Sequence, residues 1–208
     1  MTNTYAMRAQ RFSSKDGLDY YPTPPWATRA FIENIIKDKH DLNKQTCLEP
    51  ACGGGYMSRA LLEYFQHVDS YDINDYGYGN VRNFLCEPFD ENSYDWVITN
   101  PPFNLAKEFI IEALRVSRIG VAMLARTTFL ESVGRYNDLF KNNPPSIFAQ
   151  YVERVPMVNG RLDKKATTAT GYAWFIWDNR EDNVSQLKWI PPSRKLYEKD
   201  SDYEPLVR

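Results

Sequence analysis

The residues best suited to chemistry in this 208-residue chain are Asn100-Pro101-Pro102-Phe103. They follow Trp96-Val97-Ile98-Thr99, a β-branched and aromatic run that reads as a buried strand, with Asp95 just ahead of it. Proline has no N–H and a fixed φ, so the backbone after Asn100 is stiff and its carbonyls are left free to accept. The Asn100 Oδ1 and the Pro101 carbonyl can then accept both hydrogens of one –NH2 group, while Phe103 offers a face for stacking. Such a segment at a strand end can grip a planar nitrogenous group beside a cofactor. On its own, Asn-Pro-Pro is more often an ordinary turn rich in chain breakers, so its company decides.

Upstream, Thr46-Cys47-Leu48-Glu49 reads as a short strand, followed by Pro50-Ala51-Cys52-Gly53-Gly54-Gly55. A helical pattern comes next, with Met57, Ala60, Leu61, Tyr64 and Phe65 at spacings of three and four. Strand, glycine turn, helix brings a ligand close to backbone at the end of a parallel strand. Tyr56-Met57-Ser58 after Gly55 excludes the dinucleotide fingerprint and the P-loop, which need a further glycine or a Gly-Lys-Ser/Thr. His67-Val68-Asp69-Ser70-Tyr71-Asp72 then reads as a second strand ending in a carboxylate, either a ribose-binding acid or a solvated strand end.

In this order, Tyr20-Tyr21-Pro22-Thr23-Pro24-Pro25, Glu49 to Gly55, Asp72 and Asn100 to Phe103 resemble the class I S-adenosylmethionine-dependent methyltransferases. The closest flavour is the DNA adenine-N6 enzymes of small phage or prophage type. The resemblance spans Tyr20 to Trp177. It implies a Rossmann-like α/β fold: a mostly parallel seven-stranded sheet flanked by helices, with an antiparallel C-terminal hairpin. It also implies S-adenosyl-L-methionine as cofactor, held by Tyr21, Pro22, Thr23, Glu49, Pro50, Ala51, Cys52, Gly53, Gly55, Asp72, Ile73, Asn83 and Phe84. Asn100, Pro101, Pro102 and Phe103 become the catalytic segment. Asn83, before Phe84-Leu85, departs from the acidic residue common there, although its oxygen can still accept from an adenine amino group.

Length and composition fit one globular domain. No apolar run reaches membrane-spanning length, and the start Met1-Thr2-Asn3-Thr4 lacks signal-peptide architecture, so a cytoplasmic protein of a bacterial or phage-infected cell is expected. Cys47, Cys52 and Cys86 read as reduced thiols, and with only His40 and His67 no metal site is expected. The net charge of −2 conceals an asymmetry: residues 41–100 are rich in Asp and Glu, whereas Arg126, Arg135, Lys141, Arg154, Arg161, Lys164 and Lys165 follow, and Arg8, Arg11 and Lys15 precede. A cofactor half and a phosphate-facing half would produce this, as would solvated faces.

Organisation follows. Residues 1–19 are expected to be a mobile arm, 20–190 the catalytic domain and 191–208 a loosely packed tail. Thr23 is expected to N-cap a helix with Pro24 and Pro25 in its first turn. Strands around Cys47, Val68, Val97 and Val121 alternate with helices, which favours a parallel sheet. Residues 146–152 and 172–177 form the later strand pair, and 154–171 between them is a candidate recognition loop. Arg126, Arg161, Lys164 and Lys165 are the candidate substrate contacts. Double-stranded DNA, with the target base flipped out of the stack, is the expected partner. RNA-base or protein-glutamine methylation remains open, as does a non-catalytic regulator; oligomeric state has no signal in the sequence.

Overall fold

The structure, a computed structural model, describes residues 19–181 and 184–204. Apart from Asp19, the expected N-terminal arm and its Arg8, Arg11 and Lys15 lie outside the described residues.

Eight strands form one sheet: β1 Thr46–Glu49, β2 His67–Asp72, β3 Asn80–Val81, β4 Tyr94–Thr99, β5 Ser117–Arg126, β6 Ile147–Tyr151, β7 Tyr172–Asp178 and β8 Gln186–Ile190. Their order is β3-β2-β1-β4-β5-β7-β6-β8. Neighbours from β3 to β5 are parallel, β7 runs antiparallel to both β5 and β6, and β8 returns parallel to β6. The expected parallel sheet and antiparallel hairpin are present, but the sheet has eight strands rather than seven. The strands absent from the sequence reading are β3, only two exposed residues, and β8, whose Leu187 and Trp189 face outward.

Side-chain alternation divides the core. In β4, Trp96 and Ile98 enter the cluster built on α1 (Pro25–Phe31), while Val97 enters the cluster built on α3 (Ala106–Val116). Every residue of α1 is buried, and Phe31 stacks on Trp174 at 4.2 Å. On the opposite face α3 contributes Phe109, Ile110, Ala113 and Val116. The shorter α2 (Tyr56–Leu61) follows the glycine turn, and α4 (Val133–Arg135) follows β5. No helix among the described residues is long and apolar enough to cross a membrane.

Two expectations are corrected. Pro24 occupies the N-cap of α1 with Pro25 inside the helix, and Thr23 makes no cap bond because its hydroxyl points elsewhere, as described below. The tail, as far as Glu204, is docked rather than loose. Its α5 (Arg194–Tyr197) and the turn after it pack on α1, where buried Arg29 pairs with buried Asp202 through Nη2 at 2.7 Å and Nη1 at 2.8 Å. The same guanidinium donates to the Tyr197 carbonyl and to Glu63. The two carboxylates raise the Arg29 pKa further, against the cost of burial.

Candidate active site

Parallel strands end on one edge, and the order reverses between β1 and β4, the crevice where open α/β sheets take ligands. Glu49 and the glycine loop leave β1 there, Asp72 ends β2, and Asn100 follows β4.

The loop turns through Gly53 at φ 50° and Gly55 at φ 75°, left-handed conformations that side chains other than glycine rarely adopt. Its amides are held from three sides. Cys52 N–H donates to the Tyr71 carbonyl at 2.8 Å, Gly53 N–H to Asp72 Oδ2 at 2.9 Å, and Gly54 N–H to Tyr20 Oη at 3.1 Å. A Cβ on Gly53 would fall 2.4 Å from the Tyr20 ring, and one on Gly55 2.3 Å from the Tyr78 ring.

Beneath the loop, Glu49 is buried and accepts a hydrogen bond from Ser58, whose oxygen in turn accepts from Ser70. Burial pushes the Glu49 carboxyl up to about 8, so it is largely protonated at neutral pH. Asp72 is also buried and shifted upward by desolvation, opposed by the N–H groups of Gly53, Asn74 and Ile73. Burial and the nearby Glu49 and Asp72 raise the Cys52 thiol, which therefore stays un-ionised.

Across the crevice, Asn100 Nδ2 donates to the Tyr21 carbonyl at 3.0 Å and to Thr23 Oγ1 at 3.2 Å, and lies 3.5 Å from Met157 Sδ. A carbonyl can only accept, so the amide nitrogen must face Tyr21 and the oxygen must face away. That oxygen, Asn100 Oδ1, is buried and has no partner among the described residues. Thr23 donates to Met157 Sδ at 3.7 Å, which completes the clasp. Phe103 is half-buried: Tyr21 lies at 5.3 Å between ring centroids, Tyr172 at 6.3 Å, and the Arg126 guanidinium carbon sits 4.2 Å from the ring centroid.

No protein-family model matches this sequence. Among solved structures, a Listeria monocytogenes protein assigned to the class I S-adenosylmethionine-dependent methyltransferases is similar over 89% of this chain and 69% of its own, with 12% identity and a TM-score of 0.58. The methyltransferase subunit of a type I restriction-modification system from Streptococcus thermophilus matches 96% of this chain at 14% identity and a TM-score of 0.58. This chain spans about half (54%) of that subunit's length. A dimethyladenosine transferase from Plasmodium falciparum matches over 76% of this chain and 63% of its own, at 16% identity and a TM-score of 0.50. The fold is that of the class I methyltransferases.

Within this fold, Pro22 and Thr23 are buried, whereas Tyr21 and Ala51 are half-exposed at the crevice and Ile73 is exposed just beyond Asp72. Asn83 Oδ1 accepts from Leu85 N–H at 3.0 Å and so begins a turn, while Phe84 is core, packed against Phe89 and Phe109. Arg126, at the end of β5, is brought to Phe103. Arg161, Lys164 and Lys165 are exposed on the 154–171 loop, and two of them already have acidic partners: Arg161 with Asp163 at 3.2 Å and Lys164 with Asp200 at 2.7 Å. That loop is anchored by Val155 and Met157, both buried, and by Gly160 N–H donating to the Tyr20 carbonyl at 2.8 Å. Sequence reasoning passed over Tyr20, Tyr76 and Tyr78 as individual site residues, and Met157 and Tyr172. The Tyr76-Gly77-Tyr78-Gly79 alternation was the available signal.

Proposed function

We propose that this protein transfers a methyl group from S-adenosylmethionine to the exocyclic N6 of adenine in DNA. The observation that carries the reading is the orphaned Asn100 Oδ1. A buried acceptor without a donor is costly unless a ligand supplies one, and an amino group does. The left-handed glycine loop at the switch point, with Asp72 at the end of the next strand, supports the cofactor assignment. Likeness to a restriction-modification methyltransferase subunit supports a nucleic-acid substrate.

When bound, S-adenosylmethionine supplies an electrophilic methyl on a sulfonium. The glycine loop would take its ribose and methionine portions and Asp72 would accept from the ribose hydroxyls through its remaining lone pairs, while Ile73 and Asn83 would border the adenine end, with Phe84 buried in the core behind them. Adenine N6 is a weak nucleophile because its lone pair is delocalised into the ring. Asn100 Oδ1 and the Pro101 carbonyl, each accepting one amino hydrogen, favour the tetrahedral nitrogen and stabilise the positive charge that develops on it. Pro102 keeps this backbone stiff. Phe103 stacks on the base flipped from the duplex, and Arg126, now over that ring, is displaced toward a phosphate. Thr23 and the Tyr21 carbonyl do not touch the substrate; they hold the amide the right way round. The methylated nitrogen then loses its proton to water, so no dedicated base is needed.

The test is transfer of labelled methyl to pools of DNA, RNA and protein, followed by mapping of the modified atom. Label at N6 of DNA adenine supports the reading; label confined to RNA or to glutamine amides would replace the substrate; no label with intact cofactor binding would favour a regulator.

A further inference from the structure

Three tyrosines crowd the glycine loop. Tyr20 lies against Gly53 and accepts from Gly54 N–H, Tyr78 lies against Gly55, and Tyr76 stacks on Tyr20 with ring centroids 4.4 Å apart. Tyr76 and Tyr78 both come from the short loop between β2 and β3, directly after Asp72. The rings therefore stand where backbone without side chains has been left open to a ligand. Burial raises the Tyr20 hydroxyl to about 12, so it stays protonated and its oxygen keeps accepting from Gly54.

Tyr20 also reaches the acceptor side. Its carbonyl receives the Gly160 N–H and so ties down the 154–171 loop, and the next residue supplies the carbonyl that orients Asn100. Lifting the Tyr20 ring from the loop must disturb its own backbone, which is bonded to the recognition loop and contiguous with the Asn100 clasp.

We infer that Tyr76 and Tyr78 form a cover over the cofactor site, and that Tyr20 is a positioning residue that couples entry of the cofactor to release of the 154–171 loop for the nucleic acid. This rests on the methyl-transfer reading. Cofactor must part the Tyr20–Tyr76 stack before it can reach Gly53 and Gly54, and parting it loosens the Gly160 bond. The acceptor face then becomes ready only in the cofactor-loaded protein.

The probe is S-adenosylhomocysteine, with association followed by stopped-flow fluorescence and amide exchange followed across residues 158–161. Tyr76→Ala removes the stack and should speed association roughly three- to tenfold, the worth of one aromatic pair. In the parent, saturating ligand should accelerate exchange at Gly160. In Tyr20→Ala exchange should be fast with and without ligand, and in Tyr20→Phe, which keeps the stack, the ligand-dependent change should persist. A purely structural tyrosine would move neither the association rate nor the ligand dependence. Failure of the parent to bind S-adenosylhomocysteine would overturn the methyl-transfer reading and the cover with it. Binding with unchanged association in Tyr76→Ala, or without any ligand effect on Gly160 exchange in the parent, would overturn the cover alone.

Discussion

Replacing Asn100 by Ala separates chemistry from binding. The substitution deletes the unpaired Oδ1 and also the Nδ2 that serves the Tyr21 carbonyl at 3.0 Å and Thr23 at 3.2 Å. The first loss acts on the transition state. A preorganised contact to developing charge is worth about a hundred- to a thousandfold in rate, or about 2.7–4 kcal/mol. The second acts on the fold: both of those hydrogen bonds are lost and the partly buried Tyr21 carbonyl is left without this donor, costing about 1–3 kcal/mol. Single-turnover methyl transfer to adenine-containing duplex should therefore fall by at least two orders of magnitude. Affinity for S-adenosylhomocysteine should change by less than about twofold, since the glycine loop is across the crevice. Asn100→Asp is the sharper control. It keeps an oxygen at the Oδ1 position but turns a carboxylate oxygen toward the Tyr21 carbonyl, so it should lose rate through misorientation while restoring none of the stability. A near-parental single-turnover rate for Asn100→Ala would refute the amide-grip mechanism and remove the main support for the function.

Phe103→Ala should raise the apparent substrate constant and lower turnover, while Phe103→Trp should retain part of the activity; equal effects of the two in steady-state kinetics would argue against stacking. Asp202→Ala leaves Arg29 buried with one counter-charge removed and should cost about 3–5 kcal/mol in urea unfolding; a loss below about 1 kcal/mol would return residues 191–204 to the status of a loose tail. Glu49 has a folded-state pKa near 8, above its unfolded value, so the folded state binds the extra proton and stability should fall as pH rises from about 4.5 to 8. Glu49→Gln should flatten that slope in pH-dependent denaturation, and an unaltered slope would locate the titration elsewhere. Changing Arg161, Lys164 and Lys165 together to Ala should lower the salt slope of DNA binding by about one counterion rather than three, because Arg161 and Lys164 already have carboxylate partners. An unchanged slope would leave the segment an ordinary solvated loop.

The sheet was legible where burial imposes a strong pattern. Trp96 to Ile98 and Val121 to Leu124 are continuous apolar runs because they are covered on both faces. Asn80–Val81 carries no pattern because two exposed residues have nothing to repeat. Gln186–Ile190 alternates, yet its larger apolar residues, Leu187 and Trp189, point outward, so the expected link between apolar character and the core is inverted there. The docked tail was missed for a related reason. Its anchor is charged Asp202, and a single acid in a polar stretch gives no hint that an arginine 173 residues earlier waits for it inside the fold.

The site was legible in its parts and not in its wiring. Glycine turn, strand-end acid and Asn-Pro-Pro-Phe are local features whose residue types announce what each can do. The decisive property of Asn100 is its orientation, and that depends on a carbonyl at Tyr21, 79 residues away, which looks like any other carbonyl in a sequence. Thr23 shows the same limit. Its type and place before two prolines suggest a helix cap, but proline at the cap position takes that role and the hydroxyl is spent on Asn100 and Met157 instead. Local rules identify the groups that can accept or donate; only the tertiary fold decides which of them remain unsatisfied. Asn100 Oδ1 is one of several buried side-chain polar atoms left unpartnered among the described residues, and it follows β4 at the crevice where sheet order reverses; that coincidence of an unpaired acceptor with a crevice links the fold to the proposed reaction.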